Sequence, residues 1–314
     1  QKGYAKVVEW YGGKEKFLSV ANNPISKEVA ESYNKQIEEI LQKLTTIMQT
    51  YFPEETDTII DYYNRLLLLV EDRSKIYYEI GHLYLRKNDK INSVAAFKLA
   101  LQDAPDNPYY NNSLAYALVR AELYDDAIEY YQKAIKLNPD AGWTSIVCHA
   151  LGALYGEVKG NFDAAEATFQ AGLVLDNSNY DLLLSLGDLL MAKGDLDKAI
   201  KTYCDGITMQ PENFIGYAKA GLALWEKDYV EEALISLHKS IDLNPRFDVT
   251  HNNLGVVYLD GMGDAKEALI YFLQAIELNP NYTLAYFNVG RCYQALEENT
   301  NAAEYYQMAL VKIL

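Results

Sequence analysis

Side chains able to do chemistry are few and scattered in this chain. Histidine occurs four times, at His82, His149, His238 and His251, and none stands in an HExxH, GxSxG, Walker-type or GxGxxG pattern. Cys148, Cys204 and Cys292 lie far apart with no CxxC pair, which argues against a disulfide framework or a zinc knuckle and for free thiols packed between helices. Gly261-Met262-Gly263 matches only a fragment of a phosphate loop, and it falls in a turn where glycine ends one helix. Acidic doublets such as Glu231-Glu232 and Glu297-Glu298 recur at helix starts or turns and read as solvated surface. No catalytic constellation emerges, and neither cofactor nor metal is implied. The expectation is a non-enzymatic chain.

Composition supports a folded protein. Half of the 314 residues are hydrophobic and 23% are charged, which excludes wholesale disorder. The longest apolar run, Leu66 to Val70, is too short to cross a bilayer. The net charge of −16 disfavours nucleic acid and anionic membranes and favours a neutral or basic partner. Residue 1 is Gln rather than Met, so localisation stays open: a processed, extracytoplasmic chain and a cytoplasmic one both fit.

The elements that position these residues begin irregularly. Residues 1–23 hold two β-branched or aromatic runs around Gly12-Gly13, the pattern of a short hairpin or an extended arm. Residues 24–73 predict a long amphipathic helix from Ser26 to about Tyr51 and a second from Thr56 to about Val70, together a helical pair capping an array of repeats. From Ser74 a period takes over. Segments 74–107, 108–141, 180–213 and 214–247 have 34 residues each, 145–179 and 248–282 have 35, and 283–314 ends just short. Each carries a small residue midway along its first helix (Gly81, Ala115, Gly152, Gly187, Gly221, Gly255, Gly290) and another near the start of its second. An aromatic or Leu stands one turn later, from Phe97 to Tyr306, and is expected to fill the space between units. Pro105, Pro139, Pro211, Pro245 and Pro280 close five of the first six segments.

This pattern resembles the tetratricopeptide repeat, a helix-turn-helix unit of 34 residues with Gly, Tyr, Ala, aromatic, Ala and Pro at set places. The match covers residues 74–314 as seven tandem units. The resemblance implies an all-α fold, a right-handed α-α superhelix, with the non-repeat helical segment before it. Departures are local: Gly142, Trp143 and Thr144 interrupt the spacing, and one extra residue enters the turns near Lys159 and Gly263. The first break either divides the array into two-unit and five-unit blocks or forms a simple loop bulge. At the end, Ala302, Tyr306, Ala309, Leu310 and Ile313 make an apolar stripe with no helix after it. A longer chain, another protein or a second copy, giving a homodimer, would cover that stripe.

The resemblance also implies a concave groove lined by the first helix of each repeat. Its positions here are occupied by Tyr78, His82, Asn112, Tyr116, Arg120, Lys219, Trp225, Asn253, Asn288 and Arg291. Asn253 and Asn288 share the sixth place of adjacent repeats and are expected to stack, where asparagine amides grip a peptide backbone. The carboxylate clamp of chaperone-binding members is absent, with Glu79 where asparagine belongs and Ile146 and Ala150 further on. The function implied is a scaffold or adaptor holding a partner protein segment in the groove. The alternatives are a recruiting or regulatory region of a larger enzyme or secretion machine, and a self-associating assembly factor.

Overall fold

The computed structural model describes residues 27–137 and 140–313, all of them helix or connecting turn, with no strand among the described residues. The arm or hairpin expected over residues 1–23 lies outside them. The chain divides into two compact units, Gln1–Leu137 and Asn138–Leu314, and the division falls just before Gly142-Trp143.

The first unit opens with α1 (Lys27–Tyr51) and α2 (Thr56–Leu66). Leu41 of α1 joins Ile59, Ile60, Tyr63 and Leu66 of α2 in one core with Ile80, Leu83 and Ala96, so the pair packs on the first repeat. α2 stops short of the expected Val70 because the chain tightens there: the N–H groups of Leu68 and Leu69 donate to the carbonyls of Arg65 and Leu66, three residues back. Next come α3 (Ser74–Arg86), α4 (Lys90–Asp103), α5 (Pro108–Arg120) and α6 (Tyr124–Leu137).

The second unit holds ten helices among the described residues. They are α7 (Ala141–Ala153), α8 (Phe162–Leu175), α9 (Tyr180–Ala192), α10 (Leu196–Met209) and α11 (Phe214–Glu226), then α12 (Val230–Leu243), α13 (Asp248–Val256), α14 (Ala265–Leu278), α15 (Thr283–Ala295) and α16 (Asn299–Ile313).

Starts and stops of these helices arise from local chemistry. Asp89, Asn107, Asp140, Asn161, Asn179, Asp195, Asn213 and Asp264 each accept a hydrogen bond from an N–H of the first turn they precede. Between the two helices of each of the seven pairs from α3 onward stands one residue with positive φ: Asn88, Glu122, Gly160, Gly194, Asp228, Gly263 and Glu297. That left-handed residue turns the chain back on itself and lets the next N–H groups meet the last carbonyls of the first helix. After each of three pairs, the proline carbonyl finds a donor on the next repeat. Asn111 Nδ2 donates to the carbonyl of Pro105, His251 Nε2 to that of Pro245 and the Tyr286 hydroxyl to that of Pro280.

Within a pair, glycine sits under an aromatic ring. A Cβ on Gly187 would lie 2.3 Å from the Tyr203 ring, and one on Gly152 equally close to Phe169. Gly81, Gly255 and Gly290 meet Phe97, Phe272 and Tyr306 in the same way. The ring therefore packs on the first helix of its own repeat, and the same position also reaches the next one as the sequence suggested: Phe272 shares a core with Val289 and Cys292, and Leu237 with Leu254 and Val257.

Two expected irregularities take another form. Gly142, Trp143 and Thr144 are no loop: they form the first turn of α7, with the Trp143 N–H and the Thr144 hydroxyl both donating to Asp140, so three residues add most of a helical turn. In the 35-residue repeats the extra residue does not lengthen the turn. It widens the end of the first helix into a π turn, Leu154–Val158 after α7 and Val257–Gly261 after α13. In α16, Ala302 and Ala309 are buried and Tyr306 lies on Gly290, so much of the expected terminal stripe is used within its own repeat, whereas Leu310 and Val311 are exposed.

Candidate partner-binding surface

The first helix of each pair carries the residues assigned to recognition, and the two units present separate sets. In the first unit, Tyr78 stacks on Tyr110 with ring centroids 4.6 Å apart and meets His82 and Phe97 edge-on. His82 Nε2 lies 3.3 Å from the Ser113 hydroxyl of the next repeat. Burial pushes the imidazole's pKa down, against the upward pull of the Glu79 carboxylate. Both rings thus serve packing between α3 and α5 as much as they face outward. Tyr116 differs: it is 46% exposed on a helix whose neighbouring residues are buried. Arg120 holds the place beside it, with Nη2 donating to Asn88 Oδ1 at 2.7 Å and Nη1 3.4 Å from the Tyr116 hydroxyl. Asn112 is half-buried.

The second unit presents Lys219, Trp225, Asn253, Asn288 and Arg291. Lys219 Nζ lies 2.7 Å from both carboxylate oxygens of Asp188, whose Oδ1 also accepts from the Tyr203 hydroxyl at 2.7 Å. Burial first, and the Asp188 charge second, push the Tyr203 phenol well up, so it stays a donor. Arg291 Nη2 donates to Asp260 at 2.6 Å. The expected stack of Asn253 on Asn288 does not form. Asn288 is buried at 3% exposure and gives its Nδ2 to Asn252 Oδ1 at 3.0 Å, so its amide joins two first helices. Trp225 is half-buried against Ala233, Leu237, Leu254 and Val257.

The residues missed from sequence are the partners Asn88 and Asp260, whereas Asp188 and Asn252 stand at groove positions of the repeat and are tied to their neighbours. Their signal was present as a spacing. Pairs 31 apart, His82 with Ser113, Asp188 with Lys219 and Asp260 with Arg291, join the first helices of consecutive repeats, as do pairs 36 apart, His149 with Ser185 and Asn252 with Asn288. The 31-apart pairs fall three or four residues, about one helical turn, short of the repeat length, and the 36-apart pairs, which cross 35-residue repeats, fall one residue beyond it. The thiols divide as well: Cys148 and Cys292 are buried, Cys292 pushed up to about 12 by burial, whereas Cys204 is exposed and not packed away as expected. Among the described residues no helix is long and apolar enough to span a membrane, and no cluster of His, Cys, Asp and Glu is arranged to hold a metal ion.

Comparison with known proteins gives a consistent result. Family models described as tetratricopeptide repeat match residues 78–142 and 158–218, 250–282 and 271–305. A BBSome complex member, BBS4, from Bos taurus is 33% identical over 119 residues, 38% of this chain, and the chain spans only 22% of that relative's length. The TPR repeat-containing protein YpiA of Bacillus subtilis is 25% identical over 287 residues, covering 80% of this chain and 64% of the relative. Among solved structures, a tetratricopeptide repeat protein from Parabacteroides merdae superposes with a TM-score of 0.61 at 14% identity, over 82% of this chain and 99% of that one. The Cut9–Hcn1 hetero-tetramer of the APC/C matches with a TM-score of 0.56 at 17% identity, over 88% of this chain and 51% of that one. Helix pairs of one period, a glycine under five of the paired rings and these matches together make the chain a member of the tetratricopeptide repeat family.

Proposed function

We propose that this chain is a non-enzymatic scaffold or adaptor that holds a segment of a partner protein on the face built by the first helices of its repeats. The observation that carries the reading is Tyr116, a large aromatic left 46% exposed between buried neighbours, with the Arg120 guanidinium beside it. Exposed Tyr and Arg together are the usual material of interface hot spots. The bovine relative is named as a member of a complex, which fits the same role. A net charge of −16 favours a neutral or basic partner over nucleic acid. In this reading α1 and α2 cap the array, and residues 74–314 are seven repeats.

Affinity capture from the native source, with the full chain as bait, tests it. The wild-type chain should retain a specific partner, and Tyr116→Ala with Arg120→Ala, Trp225→Ala or Arg291→Ala should release it. Retention of every specific partner by all these variants would overturn the groove.

A further inference from the structure

In the second unit the sixth residue of a first helix reaches back to the first helix before it. Ser185 meets His149, Lys219 meets Asp188 and Asn288 meets Asn252. Asn253 holds that place on α13, but the register that pairs its counterparts sets it opposite Ala218 and Leu222 of α11, which have no polar side-chain atom. Its half-buried carboxamide has no hydrogen-bond partner among the described residues. One turn along α11, the Trp225 ring packs against the core that includes Leu254 of α13 and Val257 of the π turn after it, and its indole N–H has no partner among the described residues either. Glu226 beside it is exposed and forms no ion pair among the described residues.

Charge is unevenly shared as well. Residues 138–314 hold 24 Asp and Glu against 11 Lys and Arg, whereas residues 1–137 hold 20 against 17. The second unit therefore carries nearly all of the negative field that would draw in a cation.

We propose that the seam between α11 and α13 is a docking notch for an extended partner segment in which lysine or arginine alternates with apolar residues. This deepens the scaffold reading and rests on it. The Asn253 amide offers both a donor and an acceptor to one peptide unit of the segment. Leu222 and the Trp225 face receive its apolar side chains and the aliphatic stem of its cation, and Glu226 neutralises the charge. Asp260 cannot do so, since Arg291 already holds it.

Fluorescence anisotropy on the full chain tests this with three labelled nonapeptides, alternating valine with lysine, valine with glutamate, and serine with lysine. The valine–lysine peptide should bind at least about tenfold tighter than either of the others, and more weakly in high salt. Asn253→Leu and Trp225→Ala should each weaken it by about tenfold or more, with unchanged far-ultraviolet dichroism, and Asn253→Gln should recover part of the loss. Equal binding of the serine–lysine peptide would reduce the effect to bulk charge and overturn the notch. So would wild-type affinity in both Asn253→Leu and Trp225→Ala. If binding were then lost in Tyr116→Ala with Arg120→Ala, the scaffold reading would survive without the notch. If it were indifferent to all of these substitutions, both readings would fall.

Discussion

Glu122 and Glu297 hold left-handed backbone, with φ of 64° and 62°, where three other repeats use glycine. A side chain there brings Cβ against the following carbonyl at a cost of roughly 1–2 kcal/mol, offset in part because glycine loses more chain entropy on folding. Replacing either residue by Gly should therefore stabilise the chain by about 0.5–1 kcal/mol, read as a higher urea midpoint. Gly194→Ala should move the midpoint the other way, since Gly194 has φ of 78°. Equal midpoints in all three variants would show that the turn is not a strained position. The same residues illustrate what a sequence hides. Glycine at 160, 194 and 263 announces a turn, but Glu122, Asp228 and Glu297 look like ordinary surface charge, and only the backbone shows that all seven turns are alike.

At the scale of helices, most of the architecture was legible, because caps, glycines and prolines act within a few residues of where they stand. Asn107, Asn179 and Asn213 mark helix starts, and the glycine-to-aromatic interval marks five of the pairs. What escaped notice depends on contacts between repeats. Trp143 looked like part of an interruption and is a turn of α7, since Asp140 caps the helix earlier than the period allows. Asn288 looked free and is tied to Asn252, because the amide's partner lies on another helix 36 residues away. A related link joins α3 to α5 through His82 and Ser113. As burial lowers the His82 pKa from its ordinary 6.5, the unfolded chain takes up its proton first. The contribution of this link is complete above that value and should be lost as pH falls through it towards the folded pKa. Urea midpoints at pH 7.5 and 5.5 should converge in His82→Gln relative to wild type. An unchanged difference would remove His82 from the acid sensitivity of the fold.

For the whole molecule, the two π turns decide what a change in chain length does. One residue added to an α-helix rotates everything after it by about 100°, enough to carry a buried stripe to the surface. In the repeats holding α7 and α13 that rotation is taken up within Leu154–Val158 and Val257–Gly261, and α8 and α14 still begin with their capping Asn161 and Asp264 in place. The end of a first helix is thus where the array absorbs a change in length, and the second helix, with its ring locked on glycine, is where it cannot. A single Ala inserted after Met191, at the end of α9, should leave far-ultraviolet dichroism and the thermal midpoint close to wild type. The same insertion after Tyr203, within α10, should collapse the midpoint, and equal tolerance at both sites would refute the distinction. The family's fixed period is then a rule with a built-in slack point: new lengths enter at the joint between paired helices, so repeats can diverge in spacing without the stack losing its frame.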